Sequence, residues 1–444
     1  MEVCLESAVQ QLIVQKYGGT SVGTTENIKA VARKVVATKQ RGCSVVVVVS
    51  AMGKTTDELS ALAREMSSSP KRRELDMLLT TGEQTSIALL VMAIQALGED
   101  AVSLTGGQCG IVTNTVHANA RILRIHTARL RRELERGAIV VVAGFQGVSE
   151  AGDITTLGRG GSDTTAAALA AALDAEACQI FTDVESVYSA DPRVLAGRAI
   201  DEIHCEEMQE MAWHGAQVLK AEAVEFAKTN AVELEVRSTF GGGQGTRVRV
   251  DIPGPESTVF SPHRPAVAGV TGRSDLVRLT GHHSALEPGE WDAFFDRIAG
   301  FDLVFGAAGD GAGVDLLLST QEIPNLEEFY VELGSRFHGA VTVDTGLGAV
   351  SLIGFGIGSR PKALKDALRV LRDAGFEVIQ SFSGRESLSF LVDKARVPEG
   401  IRVLHRAFVE STAAPPATDS PDPKPTISEQ DARPADSERV SLLV

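Results

Sequence analysis

A run of five consecutive valines at residues 45–49 constrains the fold of this chain more than any other feature. A strand with one face in solvent alternates apolar and polar residues, whereas the segment SVVVVVS (44–50) shows no alternation. Both faces of this strand must therefore be buried, as they are when helices cover both sides of a parallel sheet. The run predicts an α/β fold.

Residues 12–250 alternate short β-branched runs with helical stretches such as ENIKAVARKVVATKQ and TTAAALAAAL. This alternation predicts one large α/β domain with a mostly parallel central sheet between two layers of helices. Within it, Thr55 and Glu58 have the spacing of a capping box ahead of a helix. The predicted strands are 12–17, 44–50, 138–145, 179–184 and 232–239.

The pattern changes after the glycine-rich segment GGGQGT (241–246) and the segment DIPGPES (251–257). We interpret 1–11 as an N-terminal extension, 12–250 as the large domain and 251–265 as a linker. Two α+β units follow at 266–342 and 343–410, and the second has the clearer pattern of a strand (350–357), a helix (361–376) and two strands (377–381, 387–393). The acidic, proline-rich tail 411–444 is predicted to be disordered.

Charge and cysteine content exclude several classes of protein. The chain has 444 residues, a length typical of two or three domains, and its net charge of −15 with no basic run argues against nucleic-acid binding. Its five cysteines form no CxxC pair, which favours reduced thiols over disulfides or a zinc site. No secretory signal and no long apolar segment is visible, so we expect a cytoplasmic protein without a membrane partner.

The segment from Lys16 to Ser21, KYGGTS, contains the components of a phosphate site. A cation ends an apolar strand, two glycines allow backbone N–H groups to approach an anion, and a helix follows. The order differs from a Walker A loop, in which the lysine follows the glycines. The alternative is a turn at a strand end with a surface lysine.

A second glycine-rich loop, LGRGGSDTT (157–165), surrounds Arg159 and precedes an alanine-rich helix. Glycines allow a guanidinium to approach a ligand closely, and arginine binds a carboxylate through two parallel hydrogen bonds. Ser162 or Asp163 is the predicted N-cap of the helix. The alternative is a capped helix behind a flexible loop.

The two glycine-rich loops suggest ligand-binding roles for two further segments. Glu83, in TTGEQTS (80–86), is either a first-turn acid favoured by the helix dipole or the partner of a substrate ammonium group whose carboxylate Arg159 binds. The segment TDVESVYSADPR (182–193) leaves a strand and turns at Asp-Pro, as a loop over a nucleotide would. The histidines have no metal-ligand spacing, and we predict no metal site made by protein ligands; Mg²⁺ would arrive with nucleotide phosphates.

Taken together, VQKYGGTSVG, VVVVVSAMGKTTDEL, LTTGEQTS, VAGFQGV, TTLGRGGSDTT and TDVESVYSADPR closely resemble the aspartate kinases of the amino acid kinase family. Residues 266–408 look like the tandem ACT domains that follow the catalytic domain there. The resemblance implies an amino acid kinase-like three-layer sandwich followed by two ACT-like units. It also implies that ATP and Mg²⁺ are used to phosphorylate L-aspartate to 4-phospho-L-aspartate, the first step towards lysine, threonine and methionine.

The resemblance implies a role for individual residues. Lys16, Arg159 and Asp163 would be catalytic. The residues that would bind ATP are Lys16, Tyr17, Gly18, Gly19, Thr182, Asp183, Tyr188, Asp191, Arg193 and Gln217. The residues that would bind aspartate are Thr20, Ser21, Ser50, Thr56, Glu83, Arg159, Gly160, Gly161 and Ser162.

The chain departs from the family pattern at three places. Gln217 replaces a lysine that commonly meets ATP, and Ser186 replaces a usual glycine. In the ACT-like units, GAAGDGAG (306–313) and SFSGRESLS (381–389) replace the usual signatures. From these changes we expect weakened or absent feedback inhibition by lysine or threonine. Unpaired ACT-like edges lead us to expect a homodimer or a larger homo-oligomer.

Two alternatives remain at this stage. The same fold could phosphorylate glutamate or N-acetylglutamate, although a paired Glu83 and Arg159 suit a free ammonium better than an acylated nitrogen. The chain could also be a non-catalytic amino-acid sensor or regulatory subunit. A pure sensor has no use for a phosphate-binding lysine, which argues against this alternative.

Overall fold

A computed structural model describes residues 11–158, 160–250, 266–281, 287–299, 301–309, 313–321, 323, 326–337 and 339–411. Arg159, residues 1–10 of the N-terminal extension, the linker 251–265 and residues 412–444 of the C-terminal tail therefore lie outside the described residues. In the first part of the chain the strands are β1 (Leu12–Tyr17), β2 (Ser44–Val49), β3 (Ala101–Leu104), β4 (Ile111–Thr113), β5 (Ile122–Ile125), β6 (Ile139–Ala143), β7 (Gln146–Ser149), β8 (Ile154–Thr156), β9 (Ala177–Thr182), β10 (Val187–Tyr188), β11 (Ala199–Ile200), β12 (Glu202–His204), β13 (Leu234–Ser238) and β14 (Thr246–Arg249). The helices of this part are α1 (Thr25–Gln40), α2 (Thr55–Met66), α3 (Arg72–Leu79), α4 (Thr81–Gln95), α5 (Ala128–Glu135), α6 (Gly161–Leu173), α7 (Cys205–Trp213) and α8 (Ala221–Thr229).

Eight of these strands form the central sheet, in the order β12-β14-β13-β9-β1-β2-β6-β3. Its neighbours pair in parallel except for β13 and β14, which confirms the mostly parallel sheet predicted from the sequence. The sheet extends to Arg249, so the glycine-rich segment 241–246 connects β13 to β14 of the same sheet and does not mark a boundary. A smaller sheet, β5-β4-β7-β8, and the hairpin β10-β11 complete this part of the chain.

The five valines of β2 divide between two hydrophobic cores, as a strand buried on both faces requires. Val45, Val47 and Val49 pack with α1 and α4 on one side of the sheet. Val46 and Val48 pack with α6 and α8 on the other side. All five are at most 1 % exposed, so the three-layer arrangement inferred from this run is confirmed.

Residues 72–95 form the one stretch within the described ranges that is long and apolar enough to cross a membrane by length and composition. It comprises α3 and α4, and half of it is buried inside the protein. Leu90 and Ile94 of α4 are fully buried in the core that also holds α1. These contacts identify the stretch as part of the core.

The C-terminal part adds two four-stranded sheets, each with helices on one face. Its strands are β15 (Gly269–Arg273), β16 (Leu276–Gly281), β17 (Leu303–Gly309), β18 (Gly313–Ser319), β19 (Val341–Asp344), β20 (Leu347–Ile353), β21 (Gln380–Ser383) and β22 (Ser387–Asp393). Its helices are α9 (Pro288–Ile298), α10 (Leu326–Arg336), α11 (Pro361–Asp373) and α12 (Val397–His405). This α+β architecture is the one expected of ACT-like units.

The strands of the two sheets do not follow the order of the chain, because β15 belongs to the sheet that is otherwise formed by later strands. The first sheet has the order β17-β18-β16-β19, and the second has the order β15-β20-β22-β21. Thus β15, which the sequence analysis placed in the first unit, pairs along its length with β20 of the second. The sheets pack through Leu276 and Leu317 against Leu347 and Leu391, so the two units share one apolar interface.

Two predicted helix starts differ from the structure. The capping box at Thr55 does not form, because α2 begins at Thr55 itself, with Lys54 at the N-cap, and the Thr55 hydroxyl donates to the Met52 carbonyl. Helix α6 begins at Gly161 with Gly160 at the N-cap, so Ser162 and Asp163 lie in the first turn and not at the cap. Gly160 has a φ of +75°, a conformation that favours glycine and lets the helix start earlier than the side chains suggest.

Candidate active site

Lys16 lies at the carboxyl end of β1, in the middle of the central sheet. Its Nζ is 2.6 Å from Oδ1 of Asp163 in the first turn of α6, and both side chains are nearly buried. Apart from this ion pair, Oδ1 has no hydrogen-bond partner within the described ranges. The ion pair holds the ammonium group beside Gly18, where a Cβ would lie 3.5 Å from Nζ. A glycine here keeps the backbone open next to the cation.

The turn after β1 packs tightly against the turn after β2. A Cβ at Gly19 would come within 2.9 Å of the Ala51 carbonyl oxygen, which leaves no room for a side chain. The Gly53 N–H donates to the Gly19 carbonyl at 3.0 Å, and the Ser50 N–H donates to the Tyr17 carbonyl at 3.1 Å. These contacts fix the glycine loop in one position at the sheet edge.

Glu83 joins the same cluster from the N-terminal turn of α4. Its Oε1 accepts a hydrogen bond from the Ala51 N–H at 3.1 Å, while its buried Oε2 has no partner among the described residues. Burial raises the pKa of Glu83 from 4.5 to about 7, although the N–H groups of Glu83 and Ala51 oppose the shift. A buried carboxylate with an unpaired oxygen is suited to binding a cationic group of a ligand.

The second glycine loop closes the cluster from the α6 side. Arg159 itself lies outside the described residues, but both of its neighbours are described. Gly158 and Gly160 have positive φ values of +77° and +75°. A Cβ at Gly160 would lie only 1.9 Å from Cγ of Lys220, so the stem of that lysine covers the glycine. Gly160, which follows Arg159, leads directly into the first turn of α6, where Asp163 pairs with Lys16.

A cavity of about 560 Å³ begins where β9 ends, on the strand beside β1, although neither Lys16 nor Gly18 lines it. Lys16 pairs in register with Ile180 of β9, so Thr182 lies beside the glycine loop that follows β1. The cavity is lined by the sequence-predicted nucleotide residues Thr182, Asp183, Tyr188, Asp191, Arg193 and Gln217. Its position at the carboxyl edge of the sheet is the usual place for a ligand in an open α/β fold.

Asp191 and Arg193 form an ion pair within the cavity wall. Arg193 Nη2 lies 2.7 Å from Asp191 Oδ2, and this interaction raises the pKa of Arg193 and lowers that of Asp191. Arg193 Nη2 also donates to Gln217 Oε1 at 3.4 Å. Gln217 therefore occupies the cavity wall at the position where the family often has a lysine. Ser186 does not have a positive φ, so the absence of the usual glycine causes no backbone strain.

Some of the predicted site residues cannot contact a ligand through their side chains. Tyr17 was predicted to bind ATP, but its ring is fully buried and stacks on Phe181 with ring centroids 4.6 Å apart. Successive residues of a strand point to opposite faces, so Lys16 and Tyr17 cannot both face the site. Ser21 is also fully buried, and its hydroxyl lies 2.6 Å from that of Thr239. Ser21 anchors the loop to the segment after β13.

The remaining predicted substrate residues surround the cluster on three elements. Thr20 is exposed on the loop after β1, while Ser50 and Thr56 are half-buried on the loop after β2 and the first turn of α2. Gly161 and Ser162 are buried at the start of α6. A Cβ at Gly144, after β6, would lie 2.6 Å from the Ser162 hydroxyl, so this turn also packs against the site.

Sequence reasoning missed Asp76, which organises the loops behind the site. This fully buried carboxylate accepts hydrogen bonds from the Thr156 hydroxyl at 2.7 Å and from the Ala118 N–H at 3.1 Å. It also lies 2.8 Å from Nδ1 of His117. Asp76 thereby joins α3 to β8, which leads into the loop of Arg159. Nothing in the segment RRELDMLL distinguishes this aspartate from a surface acid.

No cluster of three or more potential metal-ligating His, Cys, Asp or Glu side chains occurs within the ranges that the structure covers. Cys43, Cys109, Cys178 and Cys205 are free and buried. The groups that the cluster offers to a ligand are the Lys16 ammonium group, backbone N–H groups and the carboxylates of Glu83 and Asp163. Such a set can bind anionic phosphates and a zwitterionic small molecule side by side.

Comparisons of this chain with a family model, with related sequences and with solved structures all lead to the same family. Residues 11–238 match the amino acid kinase family. The chain is 45 % identical over 405 residues to an aspartokinase of Geobacillus stearothermophilus, covering 89 % of this chain and 97 % of the relative. It is 41 % identical over 407 residues to aspartokinase 2 of Bacillus subtilis, covering 89 % and 97 %. Among solved structures, E. coli aspartokinase III in complex with aspartate and ADP superimposes with a TM-score of 0.73 at 25 % identity, covering 89 % of this chain and 99 % of that chain.

Proposed function

This chain belongs to the aspartokinases of the amino acid kinase family, and we propose that it transfers the γ-phosphoryl group of ATP to the β-carboxylate of L-aspartate. The products are 4-phospho-L-aspartate and ADP. The observation that carries the proposal is the cluster of Lys16, Asp163 and Glu83 at one edge of the sheet. A relative of known structure binds aspartate and ADP, which is the pair of ligands that such a site requires.

The reaction needs positioning and charge neutralisation more than it needs covalent catalysis. The β-carboxylate is already ionised at neutral pH and is itself the nucleophile. One of its oxygens attacks the γ-phosphorus, the bond from that phosphorus to the β,γ-bridging oxygen breaks, and ADP leaves with the electron pair. No proton has to move. Lys16 and the N–H groups of Gly18 and Gly19 stabilise the charge on the phosphoryl oxygens.

Asp163 orients Lys16. The 2.6 Å ion pair fixes the direction of the ammonium group before ATP binds, so less conformational entropy is lost in the transition state. The partial positive charge at the N-terminus of α6 adds to the field at the same point. The Mg²⁺ that accompanies ATP would neutralise phosphate charge with ligands from the phosphates and water, because Asp163 Oδ1 is already paired with Lys16.

The substrate amino acid is held at its two charged groups. Glu83 binds the ammonium group of aspartate through Oε2, the oxygen that has no partner among the described residues. Arg159 binds the α-carboxylate, supported by Gly160, Gly161 and Ser162 at the start of α6. An acylated nitrogen has no positive charge for Glu83, so N-acetylglutamate is a poor substrate.

We propose that the two ACT-like units bind lysine or threonine weakly or not at all, because their usual signatures are replaced at 306–313 and 381–389. Strands β17 and β21 lie at sheet edges, which supports assembly into a homodimer or larger homo-oligomer. The product would supply lysine, threonine and methionine synthesis in the cytoplasm.

Measuring ADP release by the purified protein tests the proposed reaction. Aspartate, glutamate and N-acetylglutamate are compared as acceptors at saturating MgATP. Of the three acceptors, we expect only aspartate to support ADP release, and we expect the Lys16→Ala variant to release no ADP. Equal rates with glutamate would contradict the substrate assignment. Silence with every acceptor would favour a non-catalytic sensor.

A further inference from the structure

The segment 187–193, to which the proposed function assigns nucleotide binding, lies against the second ACT-like sheet. Tyr188 and Asp191 of this segment line the cavity, and residues of α12 line it as well. Ser189, which follows Tyr188, does not line the cavity and is fully buried. The contacts of Ser189 are therefore made with the protein, and they determine where the segment lies.

Backbone hydrogen bonds hold Ser189 between a neighbouring turn and the second sheet. Its N–H donates to the Arg198 carbonyl at 2.9 Å, and its carbonyl accepts from the Val270 N–H at 2.7 Å. Val270 belongs to β15, which is an edge strand of the second sheet. A Cβ at Gly269 would lie 2.9 Å from the Ser189 carbonyl oxygen, so a glycine is needed for this close approach. The backbone of the segment thus adds to the edge of the second sheet.

The side chain of Ser189 contacts a buried histidine of α12. Its hydroxyl oxygen accepts from the Arg198 N–H at 2.9 Å and lies 2.9 Å from Nε2 of His405, which is 2 % exposed. Nδ1 of His405 lies 3.2 Å from Oε1 of Glu410, and a carboxylate only accepts hydrogen bonds. In the neutral ring Nδ1 therefore donates to Glu410, and Nε2 accepts from the Ser189 hydroxyl. Every polar group of Ser189 has a partner.

The residues that follow Ser189 extend the contact with the second sheet. Ala190 is 2 % exposed and belongs to the hydrophobic core that α11 and α12 form on this sheet. Val194 packs against the same core, and its carbonyl accepts from Nε of Arg402 at 3.1 Å. The position of the segment therefore depends on α12 as well as on the kinase part of the chain.

We propose that His405 is a positioning residue for ATP, which holds the segment 187–193 in its nucleotide-binding conformation through the hydrogen bond to Ser189. This inference rests on the proposed function and extends it, because His405 lies in an ACT-like unit and does not line the cavity. The segment contributes to the binding of ATP and not to the transfer of the phosphoryl group. Loss of the hydrogen bond should therefore raise the KM for ATP and leave kcat nearly unchanged.

Titration calorimetry with ADP and steady-state kinetics with MgATP and aspartate test this role in the full chain. His405→Leu removes both ring nitrogens, whereas His405→Gln keeps an amide group that can reach the Ser189 hydroxyl. We expect His405→Leu to weaken ADP binding and raise the KM for ATP about 3- to 10-fold, the effect of one buried hydrogen bond. Its kcat and its KM for aspartate should stay unchanged, and His405→Gln should restore the wild-type ADP affinity.

A double-mutant cycle with Ser189→Ala isolates the hydrogen bond between the two residues. If both act through this bond, His405→Leu should weaken ADP binding no further in the Ser189→Ala background. Ser351→Ala is the matched control, because it removes the buried hydrogen bond to Ser389 within the same sheet and does not touch the segment. It should lower the Tm and leave the binding of ADP unchanged.

The inference and the proposed function fail in different ways. Unchanged ADP affinity in His405→Leu, no recovery in His405→Gln, additive effects in the cycle, or equal weakening in Ser351→Ala would each overturn the inference. If His405→Leu did not fold, His405→Asn would replace it, because this polar side chain is too short to reach Ser189 and should weaken ADP binding equally. If the wild-type protein did not bind ADP, the proposed function itself would fail, and this inference with it.

Discussion

Aspartate binding by this protein should depend on pH through Glu83. Burial raises the pKa of this carboxyl group in the free protein to about 7, and its Oε2 has no partner within the described ranges. An ammonium group bound beside it would favour the ionised form and lower the pKa. The free protein therefore has to release a proton at Glu83 when aspartate binds below pH 7.

The size of the effect follows from the pKa value. Below a pKa of about 7, affinity for aspartate should fall towards tenfold per pH unit, so the Kd at pH 6 should be about ten times that at pH 8. Aspartate itself keeps the same charge over this range. Near pH 6, binding should release about 0.8 proton per aspartate if the pKa in the complex falls to ~5. Near pH 8 the release should approach zero.

Titration calorimetry in buffers with different ionisation enthalpies measures both quantities. Glu83→Gln is the matched variant, because it keeps an acceptor for the Ala51 N–H and removes the ionisable group. It should bind aspartate weakly at every pH and release no proton. Proton release that is absent in the wild-type protein, or retained in Glu83→Gln, would refute the reasoning, as would wild-type affinity of the variant at pH 8.

The raised pKa of Glu83 also predicts how the stability of the protein depends on pH. The folded-state pKa of Glu83 is raised above its unfolded value, so its contribution to stability is fully present below pH 4.5 and is lost as the pH rises through about 7. The stability advantage of Glu83→Gln over the wild-type protein should grow by up to about 3 kcal/mol between pH 5 and pH 8, as measured by urea unfolding; a constant difference would contradict the assigned pKa. Gly160→Ala should lower kcat/KM by more than tenfold without unfolding the protein. The added Cβ would collide with the stem of Lys220, and the φ of +75° at residue 160 is unfavourable for alanine. Unchanged kinetics would show that the loop tolerates a side chain. Asp76→Asn should lower the free energy of unfolding by about 2 kcal/mol and raise the KM for aspartate, because it weakens the hydrogen bonds to Thr156 and His117. If neither the free energy of unfolding nor the KM changed, the role of Asp76 behind the site would be contradicted. Lysine and threonine, singly or together, should inhibit the kinase only weakly, and strong inhibition at sub-millimolar effector would refute the proposed loss of feedback.

Local sequence features were sufficient to predict the layers of the fold. The valine run required two buried faces, and each of its residues enters one of two cores. The predicted strand 12–17 is β1, and its position in the middle of a parallel sheet puts Lys16 at the edge where ligands bind. These features depend on periodicity and on glycine content, which a sequence displays directly.

Features that depend on distant packing could not be predicted in this way. The pairing of β15 with β20 joins segments about 80 residues apart, and no local pattern distinguishes it from pairing within the first unit. The start of α6 at Gly161 depends on the left-handed backbone conformation of its N-cap, Gly160, which is covered by the stem of Lys220 just before α8. Alternation along β1 already places the Tyr17 side chain opposite to Lys16, so Tyr17 would contact ATP through its backbone only.

The most direct test of the central claim, that Lys16 acts on the transferred phosphoryl group, is the rate of acyl phosphate formation trapped with hydroxylamine. At saturating MgATP and aspartate, Lys16→Ala should lower kcat by about 10²- to 10³-fold, as expected for loss of a charge that stabilises the transition state. Lys29→Ala, which removes an exposed cation from α1, should keep the wild-type rate. A Lys16→Ala variant that forms aspartyl hydroxamate at the wild-type kcat would contradict the account.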